Sequence, residues 1–155
     1  MNQSFAALLL AARRERQLVI ATALTDGAPS GQARQARLAQ QQGAGALELR
    51  ADLLADPAQV CAALTAVRAA SSLPLLLTYR STTEGGKGAG HGQGYEDYLA
   101  SLLQLRLPVA AVDIEMACPA SKALVAEAKA GGYDVVGSCH DFTATPSRAQ
   151  IAEKL

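Results

Sequence analysis

The chain has 155 residues, with 14 Lys plus Arg against 14 Asp plus Glu and no formal net charge. This length suffices for one domain with a real core, but a closed eight-fold β/α barrel takes roughly 250 residues. Balanced charge gives no global field for nucleic acid or an anionic membrane, and the lack of Trp beside two Phe and four Tyr argues against base-stacking platforms.

Residues 1–16 contain a short apolar run with Arg13, Arg14 and Arg16 after it and no basic residue before it. They read as a short amphipathic helix rather than a signal peptide. Residues 18–24 read as a first strand, and residues 30–42, rich in Ala, Gln and Arg, as a helix stopped by Gly43. A second strand is expected over 46–52. Asp56 then caps a helix over 57–70 with Pro57 at its first position. A strand over 74–80 leads into the glycine-rich stretch 85–94, and a helix follows over 95–107. The last expected elements are a strand over 109–115, a helix over 119–130 ended by Gly131 and Gly132, a strand over 134–140, and a helix opened by Thr145 and Pro146.

Strict alternation of short strands and helices implies βαβ crossovers and a parallel sheet. The expected fold class is α/β, either an open doubly wound sheet or a partial (β/α)8 TIM-type barrel of about five parallel strands, in a single domain over 1–155. No apolar stretch approaches the roughly 20 residues that span a bilayer. Cys61, Cys118 and Cys139 form an odd set without a CxxC spacing, which fits reduced thiols in a cytoplasmic protein.

Alternate strand residues share a face. Glu48, Arg50 and Asp52 therefore point together, as do Leu76, Thr78 and Arg80; Ala111, Asp113 and Glu115; and Val136, Ser138 and His140. Buried unpaired charge is costly in a sheet covered on both faces, so these groups are expected to converge at one mouth. Both α/β sheets and barrels place ligand sites at strand C-termini. Arg50 and Arg80 suit a carboxylate, and His140, at a strand end beside Asp141, is the candidate acid/base. A self-satisfying ion-pair network is the structural alternative. His91 is expected to be a solvated loop residue and Cys139 to pack under the helix layer. The glycine-rich stretch fails the phosphate-loop pattern, since Lys87 is followed by Gly88. No metal site is expected, because adjacent Cys139 and His140 face opposite ways.

Three stretches together resemble the type I 3-dehydroquinate dehydratases. They are Glu48-Leu49-Arg50-Ala51-Asp52, Thr78-Tyr79-Arg80 running to Glu84-Gly85-Gly86, and Ser138-Cys139-His140-Asp141-Phe142 followed by Thr145-Pro146. Asp113-Ile114-Glu115 matches the family's D-x-E strand. The resemblance implies a (β/α)8 barrel that dehydrates 3-dehydroquinate in the shikimate pathway through a lysine imine, without metal or organic cofactor. It implies His140 as acid/base, Glu84 beside it, and Glu48, Arg50 and Arg80 as substrate-binding groups. The family's imine lysine lies on the strand after the S-x-H-D-F segment, beyond Leu155. Of Lys87, Lys122, Lys129 and Lys154, only Lys87 sits in a loop above the mouth. The expected partner is this small molecule, with possible homo-oligomers and activity lacking in the 155 residues alone. Two other readings stand beside it: a non-catalytic module binding a hydroxylated carboxylate, and an unrelated open-sheet domain with structural charges.

Overall fold

Side-chain caps start two of the helices. A computed structural model describes residues 4–154, with backbone alone for Glu153 and Lys154. Helix α1, Phe5–Glu15, begins where the Ser4 hydroxyl accepts the Ala7 amide. The Asp56 carboxylate accepts the Gln59 amide and starts α3, Pro57–Ala70. Helix α2, Pro29–Gln41, also opens on a proline, whose missing N–H is no loss in the first turn. The others are α4, Gln93–Gln104; α5, Ser121–Ala130; and α6, Arg148–Lys154. Leu155 and Met1 to Gln3 lie outside the described residues.

The strands are β1 (Ala21–Leu24), β2 (Ala46–Arg50), β3 (Leu75–Thr78), β4 (Ala111–Glu115) and β5 (Asp134–Ser138). They form one sheet in the order β1-β2-β3-β4-β5, each neighbour parallel. Doubly wound sheets reverse strand order at a switch point; this sheet does not. Its order is that of a β/α-barrel wall.

Strands β3 and β5 end earlier than the apolar runs suggest, for one reason. Carboxylate side chains take the backbone donors that a longer strand would need. The Arg80 amide donates to Asp52 Oδ1 at 3.3 Å, and the His140 amide donates to Glu84 Oε2 at 3.0 Å. After β2 the chain tightens into a 3-10 turn, Ala51–Leu53, which carries Asp52 back to Arg50.

The sheet has two different faces. Leu47, Leu49, Leu75, Leu77, Val112 and Ile114 belong to one large buried cluster shared with the helices. On the other face, Ala46, Leu76, Ala111 and Val136 pack with Phe5 and Leu8 of α1. The amide of Ala6 and the Ser4 hydroxyl both donate to Asp134 at the start of β5, tying α1 across the strand N-termini. This second face is therefore apolar and plugged at one end. Apart from Asp134, which holds α1, its charged residues lie towards the other.

Strands β1 and β5 end the sheet. Just before β1, Leu18 is 94% and Ile20 63% exposed. Unpaired edges flanked by apolar side chains promote association. Sedimentation velocity is expected to show concentration-dependent growth, reduced by Ile20→Lys. A wild-type monomer at every concentration would remove this edge argument.

Candidate active site

Arg80 is the hub of the strand C-termini. It lies two residues past β3, is 8% exposed, and its fork reaches four side chains. One terminal nitrogen donates to Glu115 Oε1 and Ser138 Oγ, both at 2.9 Å, and to Glu84 Oε2 at 3.4 Å. The other donates to Asp113 Oδ2 at 2.7 Å. Ser138 completes the ring by donating to Asp113 at 2.9 Å. Residues from β4 and β5 and from the loop after β3 are thus locked by one guanidinium, whose planar donors fit several carboxylates at once. Arg50 makes a bidentate pair with Asp52, both bonds at 2.8 Å.

The loop after β3 folds onto this hub. The Ser81 amide and hydroxyl donate to Glu115 at 2.9 and 2.6 Å, and the Ser81 hydroxyl accepts the Glu84 amide at 3.1 Å. Gly86 and Gly88 return the chain to the Ser81 and Arg80 carbonyls. A Cβ on Gly86 would lie 2.1 Å from the Arg80 carbonyl oxygen, and backbone cannot yield as a side chain does. Gly86→Ala is expected to destabilise the chain by about 1–3 kcal/mol, measured as a lower urea midpoint. A midpoint equal to wild type would show that the turn is plastic.

Glu84 is buried, yet it reaches His140. Its Oε2 accepts from the His140 amide and lies 2.8 Å from His140 Nδ1. Its Oε1 is buried without a hydrogen-bond partner. His140 is more open, with 41% of its side chain exposed, and stacks on Phe142 at 6.3 Å. A cavity of about 480 Å³ opens here, lined by Thr82, Thr83, Glu84, His91, His140 and Phe142 among others. A somewhat larger hollow of about 550 Å³ lies beside α5 around Lys122 and Gln150; it lacks the arginine–carboxylate set.

Burial pushes the Asp113 carboxyl up to about 6, against Arg80 and Ser138, with Glu48 and Glu115 adding repulsion. Burial also works against ionised Glu115, but bonds from Ser81, His91 and Arg80 outweigh it and hold Glu115 below the usual carboxylate range. Asp52 likewise stays low, because Arg50 and the Lys87 and Arg80 amides outweigh its burial. The raised Asp113 value means the folded chain holds that proton more tightly than the unfolded chain. Its contribution to stability is full below the ordinary Asp value and is lost as pH rises through about 6. Asp113→Asn removes this dependence. The stability difference, wild type minus variant, should fall by on the order of 2–3 kcal/mol from acid to neutral pH. Urea unfolding across pH measures it, and a flat difference would contradict the assignment.

The expected site residues come together in part. Arg80, Glu84, Asp113, Glu115, Ser138 and His140 join one network. Arg50 pairs with Asp52 beside it, and Glu48 is half-buried on the same face of β2. Of the lysines, Lys87 is exposed and its amide donates to Asp52. Lys122 and Lys129 are exposed on α5.

Two expectations are corrected. His91 is not a solvated loop residue: its side chain is 15% exposed and its Nε2 lies 2.6 Å from Glu115 Oε2. A histidine among glycines carries no periodicity that could reveal this, since the loop's return path is set by distant carboxylates. Cys139 is exposed rather than packed under the helices. It lines the His140 cavity, because strand geometry has already ended at Ser138. Ser81 was also missed, although its position beside Arg80 at a strand end was a usable signal.

An in-order parallel sheet with ionisable groups gathered at its C-terminal ends defines the class: a TIM-type β/α-barrel fold with a candidate site at the strand mouths. A family model described as Type I 3-dehydroquinase matches residues 20–155, and the chain belongs to that family. The 3-dehydroquinate dehydratase of Methanosarcina acetivorans is 36% identical over 121 residues, 76% of this chain and 50% of the relative. That of Methanoregula boonei is 39% identical over 128 residues, 82% and 54%. The solved 3-dehydroquinate dehydratase of Enterococcus faecalis superposes with a TM-score of 0.73 at 28% identity, covering 87% of this chain and 58% of that one. The chain spans about half the length of the curated relatives it matches. Among the described residues, no helix is long and apolar enough to cross a membrane.

Proposed function

We propose that the chain carries the substrate-binding and acid/base portion of a type I 3-dehydroquinate dehydratase, a carbon–oxygen lyase of the shikimate pathway. The observation that carries this reading is the His140–Glu84 pair, Nδ1 to Oε2 at 2.8 Å, beside a cavity at the strand mouths. An ionised carboxylate only accepts, so Nδ1 bears the proton and Nε2 keeps its lone pair. That lone pair takes the proton next to the substrate's imine carbon. The same nitrogen then returns a proton to the departing hydroxyl, which leaves as water.

Arg50, with 22% of its side chain exposed against 10% for Arg80, is the more open cation for the substrate carboxylate. Arg80 supports the site from beneath and Glu48 holds a hydroxyl. An imine needs an amine nucleophile. We assign it to a lysine on a strand following the His140 segment, outside these residues. The 155 residues then act as one incomplete barrel domain, inactive alone, in a cytoplasmic enzyme using no metal or organic cofactor. Nucleic acid and membrane are not partners, and self-association occurs through the sheet edges. A second reading, binding without turnover, is favoured by the surface positions of Lys87, Lys122 and Lys129.

Titration with 3-dehydroquinate tests the binding role. Saturable shifts of the His140 ring signals are expected, with the dissociation constant raised roughly 10- to 100-fold by Arg50→Met, the loss of one charge-assisted contact. No saturable shift at His140 would sink the reading.

A further inference from the structure

His91 lies in the glycine-rich loop, seven residues after Glu84 in the sequence, and has returned to the site. Its amide donates to Thr83 Oγ1 at 3.0 Å. Its Nε2 lies 2.6 Å from Glu115 Oε2 and 3.9 Å from Glu84 Oε1, the buried oxygen without a hydrogen-bond partner. Its ring meets Tyr95 edge-on at 5.7 Å, and the Tyr95 hydroxyl accepts the Glu115 amide at 3.3 Å. His91 and His140 line the same cavity. They approach the two carboxylates that share one Arg80 nitrogen.

Charge counting gives His91 a task. Arg80 supplies one positive charge to Glu84, Asp113 and Glu115. The three carboxylates compete for it in a buried place, where an unsatisfied charge is expensive. Each oxygen that finds a donor elsewhere relieves that competition. His91 donates to Glu115 from the side opposite Arg80's bond to Oε1. Its Nε2 also lies 3.9 Å from the unpartnered Glu84 Oε1. Without it, Glu115 draws more on the guanidinium, and Glu84 loses the arrangement that turns Oε2 towards His140.

We propose that His91 is a positioning residue of this site. It acts through Glu115 and Glu84 to fix the carboxylate that holds His140 with Nε2 facing the cavity. The proposal rests on the acid/base reading of His140 and deepens it. His91 touches no reacting atom in this role.

The chain contains two histidines, so its imidazole spectrum has two ring systems that single substitutions assign. Long-range proton–nitrogen spectra would be recorded on the full 155-residue chain, at a pH above the ordinary imidazole range. In the wild type, His140 is expected to show one tautomer, protonated at Nδ1. His91→Phe should replace it with a mixture, or with the Nε2-protonated form that an unconstrained histidine side chain prefers. His91→Gln, which can still offer a donor near the Nε2 position, should restore the Nδ1 form. His91→Asn, too short to reach Glu115, should behave like the Phe variant and carries the test if that variant does not fold. A dispersed amide spectrum certifies the fold in each case. Unchanged Nδ1–H His140 in a folded Phe or Asn variant overturns the His91 proposal alone. A wild-type His140 that is not in the Nδ1–H form overturns the acid/base reading first.

Discussion

Arg80→Met should abolish cooperative unfolding at neutral pH, and acid should partly restore it. The substitution keeps much of the buried volume but removes the cation shared by Glu84, Asp113 and Glu115. Breaking a buried ion pair by deleting one partner destabilises by about 3–5 kcal/mol, and here one cation serves three anions. Whole domains are stable by only about 5–15 kcal/mol, so the loss consumes much of the total. Arg80 favours the ionised forms of Asp113 and Glu115, so both carboxyls protonate more readily without it. The deficit is then full at neutral pH and shrinks as pH falls and the repulsion is titrated away. Urea unfolding followed across pH reads both limbs. Arg80→Lys should recover part of the stability, since an ammonium restores charge but not the planar fork. A Met variant as stable as wild type at neutral pH would show that Arg80 is not the hub.

Borohydride should trap no 3-dehydroquinate adduct on the 155-residue chain, as read by intact mass, and dehydration should stay at background. A longer polypeptide that supplies the proposed imine lysine should give a single adduct. In that polypeptide His140→Ala should lower turnover by about 10²- to 10⁴-fold, the usual worth of a positioned acid/base. The mutant should still form the imine, because the amine and not the imidazole makes that bond. A stoichiometric adduct on the 155 residues would overturn the assignment of the nucleophile, and peptide mapping would then separate Lys87 from Lys154. Turnover unaffected by His140→Ala would overturn the acid/base role.

Strand existence and order of type were legible because apolar runs and their polar punctuation are local properties. So was the polar face: period-two alternation alone puts Glu48 with Arg50, and Asp113 with Glu115. The helix start at Pro57 follows from capping chemistry within a few residues. Strand ends were not legible in this way. β3 stops at Thr78 and β5 at Ser138 because Asp52 and Glu84, far away in sequence, capture the next backbone amides. The plugging of the sheet's inner face by Phe5 likewise depends on Asp134, 128 positions from Ala6.

The sequence by itself determined the elements, the charged face and the family, since the motifs around Glu48, Arg80 and His140 are each contiguous. Only the tertiary structure decided the strand order that excludes a doubly wound sheet, the gathering of three carboxylates on Arg80, and the return of His91 to Glu115. These are long-range pairings, selected because a buried charge must find its counterpart wherever the folded chain supplies it. No spacing along the chain encodes which partner that will be.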